Sequence, residues 1–210
     1  MTKRVFLISV LALLCSLCVP SIAVAASKTP SQADVTERLD YLVGLRSFSE
    51  RQPLTQDRLM KLVIDLARWG SFPQKYQGVG PKLEGCDAYI THSMASLFTR
   101  SLLGERLSVW KSPQHEGKPK MVGDKLGWWY NSSNSMYDTP HVHVIREVRT
   151  SGNGIAVSFV IMYNEGNTSD NLPSKKVGAG TAILKEVSHN LVVTSWQVRR
   201  NTQWTYAGCE

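Results

Sequence analysis

Residues 141–163 read HVHVIREVRT-SGNG-IAVSFVIMY, and residues 177–200 read VGAGTAILKEV-SHN-LVVTSWQVRR. The first segment alternates, with Val142, Val144 and Val148 on one side. Ser151-Gly152-Asn153-Gly154 then marks a hairpin, because Asn-Gly supplies positive φ at little steric cost. Ile155 to Tyr163 is apolar at both parities: Ile155, Val157, Phe159 and Ile161 on one face, Ala156, Val160 and Met162 on the other. A strand without a polar face is predicted to be covered on both sides. Val177, Ala179, Thr181 and Ile183 open a third strand that turns at Ser188-His189-Asn190, and Val192, Trp196 and Val198 share one face of a fourth. His141 to Arg200 thus predicts four strands in two hairpins.

Upstream the period changes from two to nearly four. Ser31 or Asp34 caps a first helix, with Asp34 and Glu37 at capping-box spacing. Val35, Leu39, Leu42 and Val43 give its apolar face, and the helix is predicted to run to Arg46–Ser49. Pro53 and Thr55 open a second, with Leu59, Leu62, Val63, Leu66 and Trp69 inward and Gly70 as a stop. The two are expected to form an antiparallel pair. Residues 71–85 hold Pro73, Gly78, Gly80, Pro81 and Gly85 and read as a loop. Gly78-x-Gly80 lacks the third glycine and the preceding strand of a dinucleotide fingerprint. Asp87 is predicted to cap a third helix ending at Leu103-Gly104, with Ile90, Met94, Leu97 and Ser101 as one stripe. Leu107–Trp110 reads as a short strand or turn, and Lys111–Lys125 as a basic loop.

The N-terminus has its own grammar. Lys3 and Arg4 precede an uncharged, mainly apolar run, Val5–Val19, and Ala23-Val24-Ala25 offers a small-x-small cleavage site. This predicts a signal peptide over 1–25, a helical pair and loop over 26–84, and an α+β domain over 85–210. The run is short for a membrane span, so a cleaved chain is not an integral membrane protein. Periplasmic or secreted localisation follows. The full chain of 210 residues carries a formal charge of +7; without Lys3 and Arg4 this becomes +5. Thinly spread, that charge does not amount to a nucleic-acid footprint. Cys86 and Cys209 are the cysteines left after cleavage, and in an exported chain they predict one disulfide. On the loop-entropy picture such a link contributes about 4 kcal/mol.

Helices followed by an antiparallel sheet specify an α+β class. The third helix, the Trp-rich segment and the closing hairpin Thr181–Glu186 with Val193-Thr194-Ser195-Trp196-Gln197-Val198 resemble the nuclear-transport-factor-2-like cone of the cystatin-like superfamily, over about 85–200. The resemblance implies N-terminal helices packed on a curved, cone-like sheet of four to five strands. Within that superfamily, the periplasmic assembly-factor domain of type IV secretion systems ends in a similar Val-Thr-Ser-aromatic-x-Val strand. That family keeps a membrane anchor and a longer Pro/Gly turn, where this chain has a cleavage site and His189-Asn190. Cone enzymes of the dehydratase, isomerase and cyclase types hold an Asp/His or Tyr/Asp set inside the cone, while the inward positions here are Val, Ile, Phe and Ala.

Candidate sites follow from residue types. Trp110, Trp128, Trp129, Tyr130 and Tyr137 concentrate aromatics beside Lys111, Lys118, Lys120 and Lys125, as a ligand pocket or partner surface does. Asp87, Tyr89 and His92 offer an acid/base set on the predicted third helix. His141 and His143 fall on one face of a strand and suit a metal if Asp138, Glu147 or His189 supplies a third ligand. The expectation is a non-enzymatic binding or assembly module of the envelope, without a cofactor. Its partner would be a protein or a small apolar or aromatic ligand. The alternative is a small-molecule enzyme using the cone cavity.

Overall fold

The computed structural model describes residues 30–68, 71–78, 86–112, 119–128, 140–150, 154–163, 175–188 and 190–201. Among them are three α-helices, α1 (Gln32–Asp40), α2 (Gln56–Arg68) and α3 (His92–Leu103), and a 3-10 turn at Gln74–Tyr76. The strands are β1 (Ala88–Thr91), β2 (Lys120–Val122), β3 (Lys125–Trp128), β4 (His141–Thr150), β5 (Gly154–Tyr163), β6 (Lys175–Val187) and β7 (Asn190–Arg200). They form two antiparallel sheets, ordered β4-β5-β6-β7 and β1-β3-β2. The chain is α+β as predicted, but with a second small sheet in place of a single sheet of four to five strands.

The larger sheet is the predicted meander. Thr150 pairs with Gly154 and Val187 with Asn190, so both hairpins are tight. Ser188 takes the positive φ of 48° that the second turn needs. One face is buried. There Phe159 of β5 and Trp196 of β7 stack at 4.4 Å and 10° across the intervening β6. The stack closes because β6 presents Gly180 and Ala182 at that level. A Cβ at Gly180 would lie 2.1 Å from the Gln197 carbonyl oxygen and 2.7 Å from Phe159 Cζ. Trp196 Nε1 also donates to Leu45 O at 3.3 Å, so the buried indole is satisfied.

The opposite face departs from expectation. Ala156, Val160 and Met162 are half-buried, and Val148 and Ile183 are exposed. The predicted two-sided cover of β5 is therefore replaced by one packed face and one open face. The β7 edge is protected instead: Phe48 exchanges both backbone hydrogen bonds with Trp196, at 2.9 and 3.0 Å. Arg200 Nη2 donates to Val43 O and Leu45 O just beside it. A paired edge removes a template for aggregation.

Ser31 and Asp34 form the capping box of α1, one turn earlier than the Asp34–Glu37 spacing predicts. The helix ends at Asp40, so that the following turns can reach β7. Val35 and Leu39 are buried, and α1 lies against β4 and β7. Asp40 accepts from the Val142 backbone N–H. By contrast α2 lies against β3 of the small sheet. The two helices cover different sheets rather than forming the predicted pair.

The largest correction concerns Asp87. It does not cap a helix: Ala88–Thr91 is β1, and α3 begins at His92 with Thr91 as its N-cap. Ala88-Tyr89-Ile90-Thr91 is rich in strand formers and finds a partner in β3, with Ala88 opposite Trp128 and Thr91 opposite Lys125. The helical register shifts accordingly. Ala95, Phe98, Thr99 and Leu102 are buried, and Leu97 is 59% exposed. Gly104 ends the helix in the left-handed region at φ 76°, as predicted. The predicted loop at 111–125 contains β2 and leads into β3, joined by Gly123-Asp124 with Gly123 at φ 60°. One apolar core cluster runs from Val35 through Phe72, Phe98 and Trp128 to Trp196.

Candidate functional site

The aromatic segment divides. Trp128 is fully buried at the end of β3, 6.1 Å from the Phe72 ring, so it is a core plug and not a surface group. Its indole Nε1 is buried with no hydrogen-bond partner among the described residues. Trp110 is half-buried and stacks on His92 at 5.4 Å, while its Nε1 donates to Asp124 O at 3.2 Å. Trp129, Tyr130 and Tyr137 lie outside the described residues.

The strap that carries Trp110 is held by side chains from both helices. His92 Nε2 donates to Leu107 O at 2.9 Å, which fixes the proton on that nitrogen. Gln56 accepts from Ser108 N at 2.6 Å and donates to Arg106 O at 3.0 Å. Lys111 and Asp57 pair at 2.7 Å. His92 is thereby a clamp. Tyr89 is buried in β1, with Lys125 Nζ 4.7 Å from its ring centroid. The ring also lies on Gly78, where a Cβ would sit 2.2 Å from it. Asp87 is exposed, and its backbone N–H donates to Trp128 O. Tyr89 faces Gly78 and Lys125, while His92 faces Leu107 and Trp110, so these two members of the predicted acid/base set point to different neighbours.

His141 and His143 do share the open face of β4, opposite Met162 and Val160. A bulge between Val144 and Arg146 then moves Glu147 to the other face, opposite Val157. Asp138 and His189 lie outside the described residues, among which no group of three metal-type ligands occurs. Cys86 is buried, and Cys209 lies outside the described residues.

Two features escape a strand-and-helix reading of the sequence. The first is the open face of the larger sheet. Register places Arg146, Lys176, Lys185 and Arg199 on it, and places no carboxylate from the four strands there. Glu50, from the segment at the β7 edge, pairs with Lys185. Between the cations lie half-buried and exposed apolar groups, including Val148, Val160, Met162 and Ile183.

The second is a cleft of about 200 Å³ between α1, the 3-10 turn, α3 and the β6–β7 end. Asp34, Glu37, Arg38 and Tyr41 line it from α1, at helical i, i+3, i+4, i+7 spacing. That polar stripe was visible in the sequence, but its facing wall comes from Tyr76, Phe98 and Glu186. Tyr41 and Tyr76 set their rings edge-on to Phe98, at 5.6 and 5.5 Å. Arg38 Nη1 donates to Ser101 O at 2.8 Å, and burial lowers its guanidinium pKa. Tyr41 donates to Glu37 at 2.7 Å; burial first, then that bond, pushes its hydroxyl pKa up.

No protein-family model matches the chain, and neither the curated proteins nor the solved structures contain a significant match to it.

Proposed function

We propose that the protein is an exported, non-enzymatic binding or assembly module of the cell envelope, and that it docks an acidic protein surface on the open face of β4-β5-β6-β7. The observation that carries this reading is the segregation of charge on that face. Arg146, Lys176 and Arg199 stand with two histidines among apolar side chains, with no strand carboxylate beside them, while Lys185 is paired with Glu50. A partner with acidic groups around an apolar centre complements it, since charge steers encounter while apolar contact holds the complex. The N-terminal basic pair, apolar run and Ala23-Val24-Ala25 support export. A Cys86–Cys209 disulfide belongs to the same reading.

The packed face of the sheet supports binding over catalysis within a cone. A cone enzyme needs a hollow interior lined by a polar pair, whereas the packed face of this sheet is occupied by the stacked Phe159 and Trp196 rings. Buried Thr99 satisfies Leu107 N–H and Ser96 O rather than facing a cavity. The resemblance to the cone superfamily fits a binding role for the same reason.

A photo-crosslinking amino acid at Ile183, on the open face, tests the proposal in envelope preparations. The same group at exposed Leu97 on α3 is the control. The expected outcome is a discrete adduct from position 183, lost in Arg146→Glu/Arg199→Glu and weakened by salt. Equal labelling from position 97, or an adduct indifferent to charge reversal, refutes it.

A further inference from the structure

We propose that the outer edge of β4, over Arg146–Thr150, pairs antiparallel with the same edge of a second copy of this chain, joining the two four-stranded sheets across a two-fold axis at Val148. The inference concerns the edge of the sheet and holds whatever docks on its open face.

β4 is an outermost strand of the larger sheet. At the opposite edge, Phe48 closes β7. On β4 the cover stops early: Asp40 takes the Val142 N–H, and every residue from Ile145 to Thr150 is exposed. Ile145 is 64% exposed and Val148 43%. An edge with exposed apolar side chains is a template for another strand.

The ladder fixes which backbone groups face outward. In an antiparallel pair, alternate residues turn both N–H and C=O to the same neighbour. Val142 turns its N–H away from β5, to Asp40, and Val144 shares its parity. The bulge at Ile145 adds one residue. Beyond it Glu147 and Arg149 face outward, while Arg146, Val148 and Thr150 bond to β5. A second copy must meet these outward groups with its own.

Charge then selects the register. Centred on Val148, Glu147 lies opposite Arg149 of the second copy, and Arg149 opposite its Glu147. Opposite charges at facing positions attract, and like charges repel. A slip of two residues sets Glu147 against Glu147, or Arg149 against Arg149. A slip of one sets outward groups against inward ones. Neither Glu147 nor Arg149 forms an ion pair among the described residues, so both charges are available to a copy. In the selected register Val148 meets Val148 at the close, non-hydrogen-bonded spacing, and Arg146 faces Thr150. The pairing ends there, short of Val142, where Asp40 occupies the edge. Each copy uses the same patch, as a closed two-fold dimer requires.

Sedimentation of the full chain tests the pairing. A monomer–dimer equilibrium with a Kd of roughly 100 μM is expected, since so short a pairing makes a small interface. Glu147→Arg and Arg149→Glu each set like charges opposite one another at both positions, and each is expected to weaken dimerisation by about tenfold. Mixing the two variants restores opposite charges and is expected to return the original affinity as a heterodimer, which also shows that both variants are folded. Under mild oxidation Val148→Cys is expected to give a disulfide-linked dimer well above the parent chain's own background, and Arg146→Cys is not, because only position 148 lies opposite itself. A chain that stays monomeric at about 1 mM, far above that Kd, overturns the proposal. So does a dimer indifferent to the charge variants, a mixture that does not recover, or crosslinking from position 146 equal to that from 148. A monomer whose edge instead takes up an extended peptide assigns the edge to a foreign strand and overturns it too.

Discussion

The two sheets of this protein are built by different means. In β4-β5-β6-β7 every pairing joins consecutive strands of 10 to 13 residues, and each connection is local. In β1-β3-β2 the strands are three or four residues long, and β1 pairs with a strand that follows only after α3 and a long connection. A long alternating hairpin specifies its own register through side-chain parity and turn chemistry. A short strand has too few residues to do so, and its pairing is decided by what the rest of the fold brings alongside. The larger sheet specifies its own register and is then covered by α1 and α3; the smaller is held by α2, the Trp128 plug and the Tyr89 contacts with Gly78 and Lys125.

The larger sheet is most sensitive at Trp196. Trp196→Ala removes a fully buried ring, its stack on Phe159 and its bond to Leu45 O. A loss of about 3–5 kcal/mol is expected in chemical denaturation. A loss below about 1 kcal/mol would mean that the stack is not the centre of the sheet. Replacing both tryptophans by phenylalanine sharpens the contrast. Trp196→Phe gives up a satisfied indole, at about 2 kcal/mol, whereas Trp128→Phe removes a buried donor with no partner among the described residues and should cost under about 1 kcal/mol. Equal costs would refute the difference between the two plugs.

Gly180→Ala is next. The added methyl meets the Gln197 carbonyl and the Phe159 ring, so overpacking of about 1–3 kcal/mol is expected in the same assay. In the region of the small sheet, Thr91→Ala deletes the α3 N-cap and should cost about 1 kcal/mol. No measurable loss there would return the start of the helix to Asp87.

Two carboxylates give a smaller, pH-dependent signature. Burial raises the Asp40 pKa to about 6, against the Val142 N–H bond that lowers it. Burial likewise raises Asp65 on α2 to about 6, opposed by Lys61 and Arg68. Groups raised above the unfolded value stabilise the fold most at low pH, and that contribution disappears as pH climbs from about 4 through 6. Asp65→Asn should therefore flatten the fall in Tm over that window and raise stability at pH 7 by roughly 1 kcal/mol, reduced by water access. An unchanged pH profile would contradict it.

The sequence was legible where interactions are local. The hairpin that pairs Thr150 with Gly154, the alternation through Val142 and Val144, and the terminator Gly104 are read from neighbouring residues, and they match the structure. The misread places share another character. Asp87 looked like a cap because residues 92–103 are helical, yet Ala88–Thr91 had its partner in β3, with Ala88 opposite Trp128 and Thr91 opposite Lys125. Glu147 looked like a third ligand until a bulge at Ile145 turned it over. Trp128 looked like a surface aromatic because its neighbours are Gly and Trp, and only the core around Phe72 buries it. The cleft was half legible: its α1 stripe lies in one helix, while its aromatic wall comes from three other elements.

By itself, then, the chain determined the four-stranded meander, the existence of its helices and the α+β class. Each of these rests on period, propensity and turn residues within about one hairpin or one helix. The tertiary structure alone decided the second sheet, the start of α3, the open charged face and the cleft. Those depend on pairings and packing between residues far apart in sequence, where local preference is worth a fraction of a kcal/mol and burial of a core side chain is worth about 1.5–3.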